Sequence, residues 1–214
     1  MEGMPLECWF RLPRFPYSAL CPPDRVTMNQ SPSASHAANG EDIWVFGCGS
    51  LMWQPDFAYL EARQALLRGY HRALCIYSTR YRGTPQLPGL VMGLDRGGSC
   101  QGRAFRVAAD EAEAVLTYLD GREMLTGVYR PRFIAVSLDD GRRVPAYAFI
   151  ARHDHQQYAG KLPPDRAAEL VLQGHGGRGS ARQYLENTVE HLKQMGIRDS
   201  ALQRILRSVE AKAG

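Results

Sequence analysis

The stretch WVFGCGSLMW, residues 44–53, is the point from which the organisation of the chain can be worked out. Four apolar residues (43–46) run directly into the sequence Gly-Cys-Gly-Ser at 47–50, after which apolar residues resume. A short apolar run predicts a buried strand, and the two glycines predict a sharp turn at its end. Three functions for that turn compete: a cysteine nucleophile, a phosphate-binding loop, or a turn whose backbone amides hold a substrate.

Further short apolar runs follow this strand along the chain. Including the first, strands are predicted at 42–46, 72–79, 89–94, 101–107, 132–138 and 143–151. Turn sequences at 95–99 and 139–141 predict two hairpins. Helices are predicted at 110–123, 180–196 and 199–211, the first two capped by Asp110 and Ser180. The pattern predicts an α+β fold, with a mostly antiparallel sheet or small barrel surrounded by helices that cluster at the C-terminus.

The composition of the 214 residues fits one globular domain, since 44% are hydrophobic and 22% charged. Residues 1–40 differ, because they are rich in proline and end in a polar, linker-like sequence. We expect them to form a disordered tail, and residues 41–214 to form the domain. Met28 is an alternative translation start to Met1.

Charge and cysteine content narrow the class of protein. The net charge of +4 is compatible with an anionic substrate but does not indicate binding of nucleic acid. Five cysteines without a CxxC pair argue against a disulfide framework or a cysteine-rich zinc site. No apolar run is long enough to span a membrane, and no secretory signal is recognisable at the start. We therefore expect a cytoplasmic protein that does not bind a membrane.

Each candidate site in the sequence also has a purely structural explanation. Cys48 as a nucleophile would need a neighbouring base, which the sequence does not place. The G-x-G sequence lacks the third glycine of a dinucleotide-binding loop. His153 and His155 are too few to make a metal site, and we predict none. A backbone site for a carboxylate or an oxyanion and a plain turn at a strand end both remain open.

Glu123 is the second candidate for chemistry. Val115, Leu119 and Glu123 are spaced four residues apart, so a helix continuing past Gly121 would direct Glu123 into the interior. Burial would raise the pKa of the carboxyl and make it a better proton acceptor near neutral pH. Alternatively, Gly121 ends the helix and Glu123 is a solvated surface residue.

Four segments together resemble the ChaC proteins, the glutathione-specific γ-glutamylcyclotransferases. The segments are VFGCGSLMWQPDF, STRYRGTPQLPGLVMGLDRGGSCQGRAFRV, YLDGREMLTGVYRPRF and GRGSARQYL, in the order of the family. The similarity extends from about residue 43 to about residue 192. It implies a small β-barrel with peripheral helices and a lyase that requires no cofactor.

The resemblance also implies roles for particular residues. Glu123 matches the catalytic glutamate of the family. The loop that binds the γ-glutamyl group corresponds here to Val45, Phe46, Gly47, Cys48, Gly49 and Ser50. Cys48 replaces the tyrosine usual in the family, so a contact through a tyrosine hydroxyl is lost whereas backbone contacts are kept. On this basis the glycines shape an amide-lined pocket and Cys48 is a packing substitution.

The expected reaction is the conversion of glutathione to 5-oxoproline and cysteinylglycine, in which the substrate α-amine attacks its own γ-carbonyl. A cyclotransferase for other γ-glutamyl peptides or amines, and a non-catalytic γ-glutamyl or anion-binding module, are the alternatives. Glutathione is the only expected partner, and we expect a monomer.

Overall fold

A computed structural model describes residues 40–214 of the chain. Apart from Gly40, the predicted tail at 1–40 lies outside the described residues, so the domain boundary stays a prediction. In chain order, the elements are β1 (Ile43–Gly47), a short 3-10 helix (Ser50–Met52), β2 (Glu61–Ser78), β3 (Gly89–Val107), α1 (Ala112–Glu123), β4 (Tyr129–Leu138), β5 (Arg143–Ala151), α2 (Pro164–Gln173), β6 (His175–Gly176), β7 (Gly179–Ser180), α3 (Ala181–Gln194) and α4 (Ser200–Ala213).

Strands β1 to β5 form a closed barrel in the order β1-β3-β2-β4-β5. Four of the strand pairs are antiparallel, and β5 closes the barrel by pairing in parallel with β1 and, at one position, with β3. The predicted fold class, an α+β protein with a small, mostly antiparallel barrel and helices around it, is therefore confirmed. The predicted hairpin at 132–151 is also confirmed as β4 and β5.

The predicted hairpin turn at 95–99 is wrong. Strand β3 continues through these residues and pairs with β2 over nearly its whole length, from Arg106 opposite Glu61 to Gly89 opposite Ser78. The pairing register shifts around Gly69, and Gly97 and Gly98 on the facing strand have positive φ angles of 91° and 70°. These glycines therefore bend a long two-stranded ribbon at an irregularity instead of reversing the chain.

Helix α1 passes Gly121 and ends at Glu123, as one of the two alternatives predicted. Gly121 is exposed, and a Cβ there would meet no atom within 4 Å, so no packing demand interrupts the helix. The predicted Asp110 cap is wrong, because the residue before the helix is Glu111 and no side chain caps it. The Ser180 cap of α3 is confirmed by its hydroxyl, which accepts a hydrogen bond from the Gln183 amide at 3.1 Å.

Two apolar cores flank the barrel and fix the helices that carry the site. Helix α1 packs through Leu116 and Leu119 on a cluster that includes Val45. Helices α2, α3 and α4 pack on the barrel in a separate cluster that includes Leu90 and Leu185. Helix α2 was not predicted from the sequence. Within residues 40–214, no helix has the length and apolar character required to cross a membrane.

Candidate active site

A cavity opens where the turn after β1 meets the end of α1. Its remaining walls are residues 77–82 at and just after the end of β2, the middle of β3, the start of β4, and side chains near the start of α3. Among the predicted site residues, it is lined by Phe46, Cys48, Gly49, Ser50 and Glu123. The turn and the helix end, which are about 70 positions apart in the sequence, are therefore brought together in one site.

Val45 and Gly47, the remaining predicted residues, do not line the cavity. Val45 is fully buried in the core beneath α1. A Cβ added to Gly47 would lie 2.8 Å from the Cβ of Leu51, so this glycine allows the chain to fold back tightly into the 3-10 helix. Both residues therefore support the turn without facing the cavity.

Gly49 is required by close packing. A Cβ at this position would lie 2.8 Å from the hydroxyl oxygen of Tyr184, which projects from α3. Its φ angle is −126°, which any residue can adopt, so the conformation of the turn does not demand glycine here. The carbonyl of Gly49 accepts a hydrogen bond from the Met52 amide at 2.9 Å, and this bond fixes the turn.

Glu123 projects from the last residue of α1 into the cavity wall. Its side chain is 20% exposed, and its Oε1 lies 3.1 Å from the Nε of Arg122. Burial raises the pKa of the Glu123 carboxyl above its ordinary value, while the positive charges of Arg122 and Arg178 act in the opposite direction. A carboxyl in such surroundings is suited to accept a proton and later return it.

Arg122 connects this helix end to the turn. Its guanidinium is buried and donates hydrogen bonds to Ser50 Oγ at 3.1 Å, to the Gln54 carbonyl at 2.9 Å and to the Tyr118 hydroxyl at 3.0 Å. The Ser50 side chain is thereby occupied by Arg122. Because Glu123 is adjacent to Arg122 in sequence, these bonds also fix the position of the Glu123 carboxyl relative to the turn.

Arg72, on β2, holds the turn from the opposite side. Its Nε donates to the Cys48 carbonyl at 2.5 Å and its Nη2 to the Gln101 carbonyl at 2.5 Å. Its Nη1 lies 3.3 Å from Oδ2 of Asp199, whose Oδ1 caps α4 by accepting from the Leu202 amide at 3.1 Å. One buried arginine thus links the turn, the barrel and the last helix.

The Cys48 side chain is only partly buried. A hydrogen bond with the Cys100 thiol and burial together raise the pKa of Cys48 well above its ordinary value, and the charge of Arg72 only partly opposes this. A thiol must lose its proton to act as a nucleophile. The surroundings of Cys48 therefore favour the packing role over the nucleophilic one.

Two tyrosines that the sequence did not single out lie in the cavity wall. The Tyr129 hydroxyl donates to the Met92 carbonyl at 2.7 Å, and the Tyr184 hydroxyl accepts from the Met92 amide at 3.3 Å. Burial is the main cause that raises the pKa of both phenols, so both stay protonated near neutral pH. Tyr184 belongs to the fourth segment of the family resemblance, which was the available signal for it.

A further wall of the cavity is formed by residues 77–82, which sequence reasoning also missed. The amides of Gly177 and Arg178 donate to the carbonyls of Arg80 and Tyr81, both at 2.9 Å. The guanidinium of Arg178 lies over the Tyr81 ring, 4.6 Å from its centre. Arg80, Arg82 and Arg178 all line the cavity, which gives this wall an excess of positive charge.

The histidines considered as metal ligands have other partners. His153 Nε2 lies 2.5 Å from Asp95 Oδ1, and the His155 Nδ1 accepts from the Gln157 amide at 3.1 Å. No group of three or more histidine, cysteine, aspartate or glutamate side chains suited to a metal ion occurs within residues 40–214.

Comparison with known proteins places the chain in a family. The sequence profile described as "ChaC-like protein" matches residues 43–212, which is most of the chain. The chain belongs to the ChaC-like family. The resemblance to the ChaC proteins that the four sequence segments indicated is therefore confirmed.

Individual relatives of the ChaC-like family agree. The chain is 38% identical over 168 residues to the Escherichia coli (strain K12) protein named "Glutathione-specific gamma-glutamylcyclotransferase", covering 78% of this chain and 73% of that one. It is 32% identical over 178 residues to human "Glutathione-specific gamma-glutamylcyclotransferase 1", covering 80% of each chain. A crystal structure of a yeast γ-glutamylcyclotransferase specific to glutathione superposes with a TM-score of 0.73 at 23% identity, over 81% of this chain and 100% of that one, and confirms the fold.

Proposed function

We propose that the protein is a glutathione-specific γ-glutamylcyclotransferase, a lyase that converts glutathione to 5-oxoproline and cysteinylglycine. The observation that carries this proposal is the Glu123 carboxyl, which is held in a cavity wall beside the turn after β1. The ChaC-like relatives that share most of this chain carry the name of the same activity.

The proposed reaction is intramolecular. The α-amine nitrogen of the γ-glutamyl unit attacks the γ-carbonyl carbon of the same unit, and the new carbon–nitrogen bond closes a five-membered lactam. The amide bond to the cysteine nitrogen then breaks, and cysteinylglycine leaves. Because nucleophile and electrophile belong to one substrate molecule, the enzyme needs neither a nucleophile of its own nor a cofactor. Its task is to hold the substrate in the folded conformation in which these atoms meet.

Glu123 is the general base and acid in this proposal. Its carboxylate accepts a proton from the substrate α-ammonium, which frees the nitrogen lone pair for attack. As the amide bond to cysteine breaks, Glu123 passes this proton to the departing nitrogen, and the second proton that the ring nitrogen loses on becoming the lactam amide completes the ammonium group of cysteinylglycine. The raised pKa of Glu123 supports this role, because a carboxyl that alternates between its two forms works best when its pKa approaches the working pH.

The turn after β1 would bind the γ-glutamyl unit. The backbone amides of Cys48, Gly49 and Ser50 are proposed to hold this unit and to stabilise the oxyanion that forms at the γ-carbonyl. Phe46 lines the cavity, whereas Val45 and Gly47 lie outside it and support the turn. The two arginines that fix the turn leave it little freedom, which is what transition-state stabilisation by preorganised donors requires.

The charge of the wall at 77–82 fits a substrate with two carboxylates. Glutathione carries one carboxylate on its γ-glutamyl unit and one on its glycine. Arg80, Arg82 and Arg178 line the cavity and are proposed to attract these groups. We further propose that the enzyme is a monomer in the cytoplasm and that it binds neither nucleic acid nor a membrane.

The experiment is to incubate the purified full-length chain with glutathione and to quantify 5-oxoproline and cysteinylglycine. The two products should form in equal amounts. N-acetylglutathione, which keeps the γ-amide but has no free α-amine, should not be cleaved. Release of glutamate, or cleavage of the acetylated compound at a similar rate, would indicate hydrolysis and overturn the mechanism. Binding of glutathione without any turnover would indicate a non-catalytic module, and faster turnover of γ-glutamylalanine would indicate a different substrate.

A further inference from the structure

A second concave site lies on the barrel and shares no lining residue with the catalytic cavity. It is lined by Tyr70, Arg96, Arg130, Arg132, Ile150, Ala151, Arg152, His153 and Asp154. We call this group of residues the arginine pocket. Four of its nine residues are arginines, whereas it contains only one carboxylate.

Regular strands position most of these side chains. Tyr70 and Arg96 are directly opposite each other on β2 and β3, so their side chains lie on the same face of the ribbon. Arg130 and Arg132 are two residues apart on β4 and share a face for the same reason. Arg152 follows the last residue of β5 and donates to the Gly127 carbonyl at 3.2 Å. The pairing and alternation of the barrel strands therefore bring these arginines together.

The carboxylate in the pocket is already neutralised. Arg152 Nη2 lies 2.8 Å from Asp154 Oδ2, and this pairing lowers the pKa of Asp154 to about 2, with a further contribution from Arg130. Asp95, which pairs with the pocket residue His153 at 2.5 Å, also accepts a hydrogen bond from the Tyr158 hydroxyl at 2.8 Å.

Three guanidinium groups of the pocket have no direct contact with a carboxylate, although the charge of Arg130 acts on Asp154 at longer range. Those of Arg96, Arg130 and Arg132 make no ion pair and no hydrogen bond within the part of the chain that the structure describes. Like charges gathered in one concavity repel one another, and this repulsion is relieved when an anion binds.

Elsewhere on the same barrel, arginines are matched with carboxylates. Arg142 lies 2.6 Å from both Glu61 and Asp140, and Arg106 lies 2.9 Å from Asp42 and 3.1 Å from Glu61. These pairs show that a cluster of arginines on this surface can be neutralised by the protein itself. The arginine pocket differs because its charges stay available to a ligand.

We propose that the arginine pocket binds the diphosphate or triphosphate group of a small molecule, such as a nucleotide or an inorganic polyphosphate. Each guanidinium presents parallel N–H donors that match the oxygens of a phosphate, and three free guanidiniums call for more negative charge than one carboxylate carries. The half-buried Tyr70 ring and Ile150 supply an apolar wall, on which the base of a nucleotide would pack. The proposal does not depend on the reaction proposed for the catalytic cavity.

The test is isothermal titration of the full-length chain with ADP and, separately, with inorganic pyrophosphate at low and moderate salt. Both probes should bind the wild-type protein, and the double variant R130Q/R132Q should bind at least about tenfold more weakly, since hydrogen bonds to charged groups are lost. The matched control R204Q/R207Q removes the same charge from exposed positions on α4 and should leave the Kd unchanged.

The outcomes separate the alternatives. Tighter binding of ADP than of pyrophosphate identifies a nucleotide as the ligand class, and equal binding identifies the phosphates alone; both support the pocket. An equal loss of affinity in R204Q/R207Q would show that only net charge matters and would overturn the proposal, as would the absence of binding to the wild-type protein. Binding of a single-stranded oligonucleotide but of neither small molecule would overturn it too. If the double variant fails to fold, the single variant R96Q, which changes a pocket arginine on β3, serves in its place and should also bind both probes more weakly.

Discussion

Two walls of the cavity that is proposed to be catalytic are held by different kinds of contact. The turn at 47–50 is fixed by side chains, since the buried guanidiniums of Arg72 and Arg122 bond to it from opposite directions. The wall at 77–82 is fixed mainly by its backbone, because its carbonyls accept hydrogen bonds from the amides of residues 177 and 178. Glycines allow these two segments to approach each other closely.

This difference separates the two tasks of the site. The first wall consists of the turn and the adjoining end of α1. It contains Glu123 and the backbone amides that are proposed to act in the reaction, together with the buried charges of Arg72 and Arg122. The second wall carries Arg80 and Arg82 and is proposed to hold the substrate carboxylates. Changes in the first wall should therefore reduce turnover or stability strongly, whereas changes in the second should mainly weaken substrate binding.

The largest effect is expected for Glu123→Gln. The substitution keeps the size of the side chain but removes its ability to accept a proton, so kcat for glutathione should fall by about 10²–10⁴-fold. KM should change little, because the turn and the arginines are proposed to bind the substrate. Steady-state kinetics with quantified 5-oxoproline measures both parameters.

Glu113→Gln is the matched control, since Glu113 is an exposed glutamate on the same helix. It should retain full turnover. A Glu123→Gln protein that is folded and still has near-normal turnover would remove Glu123 from the mechanism.

Arg72→Met should have the next largest effect, on stability. The variant leaves the carbonyls of Cys48 and Gln101 and the Asp199 carboxylate without their partner. Breaking a buried ion pair from one side typically costs about 3 kcal/mol or more in the free energy of unfolding. Denaturant unfolding monitored by circular dichroism gives this value.

Arg68→Met serves as the control, because Arg68 is exposed on the same strand. It should change the free energy of unfolding by no more than about 0.5 kcal/mol. An equal loss of stability in both variants would show that the Arg72 contacts do not hold the turn.

The first wall was largely predictable from the sequence. The turn follows a short apolar strand, and Glu123 lies on the same helical stripe as Val115 and Leu119, so local patterns were informative. Periodicity alone could not decide whether the helix crosses Gly121. A glycine inside a helix costs about 1 kcal/mol relative to alanine, and the packing of Leu116 and Leu119 on the barrel, which periodicity does not show, is available to offset that cost.

The second wall could not be assembled from the sequence. Its residues come from segments about 100 positions apart, near Tyr81 and near Arg178, and no local pattern states that they touch. The same limit explains the error at 95–99, where two glycines resemble a hairpin turn locally. Only the pairing of β3 with β2 shows that they bend a continuous strand.

Gly176→Ala should test the second wall. A Cβ at this position would lie 2.6 Å from both the Arg80 carbonyl oxygen and the Gly83 amide nitrogen, so backbone must move. We expect a loss of about 1–3 kcal/mol in the free energy of unfolding, as in other overpacked sites, and a raised KM for glutathione with a smaller change in kcat.

The neighbouring Gly177→Ala is an exact positional control, since its Cβ would meet only the Arg80 carbonyl oxygen at an ordinary 3.6 Å. It should behave as the wild-type protein does in both measurements. A Gly176→Ala variant with unchanged KM would show that the wall at 77–82 does not contribute to substrate binding.

Glu123→Gln should also have a smaller, pH-dependent effect on the melting temperature. Because the folded-state pKa of Glu123 is raised, its ionised form is less favourable in the folded protein than in the unfolded chain. The variant should therefore melt at a higher temperature than wild type at pH values above that raised pKa. The difference should shrink as the pH falls and should vanish below the ordinary pKa of glutamate, where the wild-type carboxyl is neutral in both states. A constant difference at every pH would contradict the proposed burial cost.

The smallest effect is expected at Cys48, although this residue lies in the turn itself. Cys48→Ser keeps a hydrogen-bond donor for Cys100, and the backbone carbonyl that accepts from Arg72 is unchanged. The kcat/KM for glutathione should therefore stay within about tenfold of wild type, a change of less than about 1.4 kcal/mol in transition-state stabilisation. Cys48→Tyr, which introduces the residue usual in the family, should also be active. Loss of turnover in both variants, with unchanged melting temperatures, would revive Cys48 as a nucleophile and would mean that this wall acts through a side chain and not through its backbone.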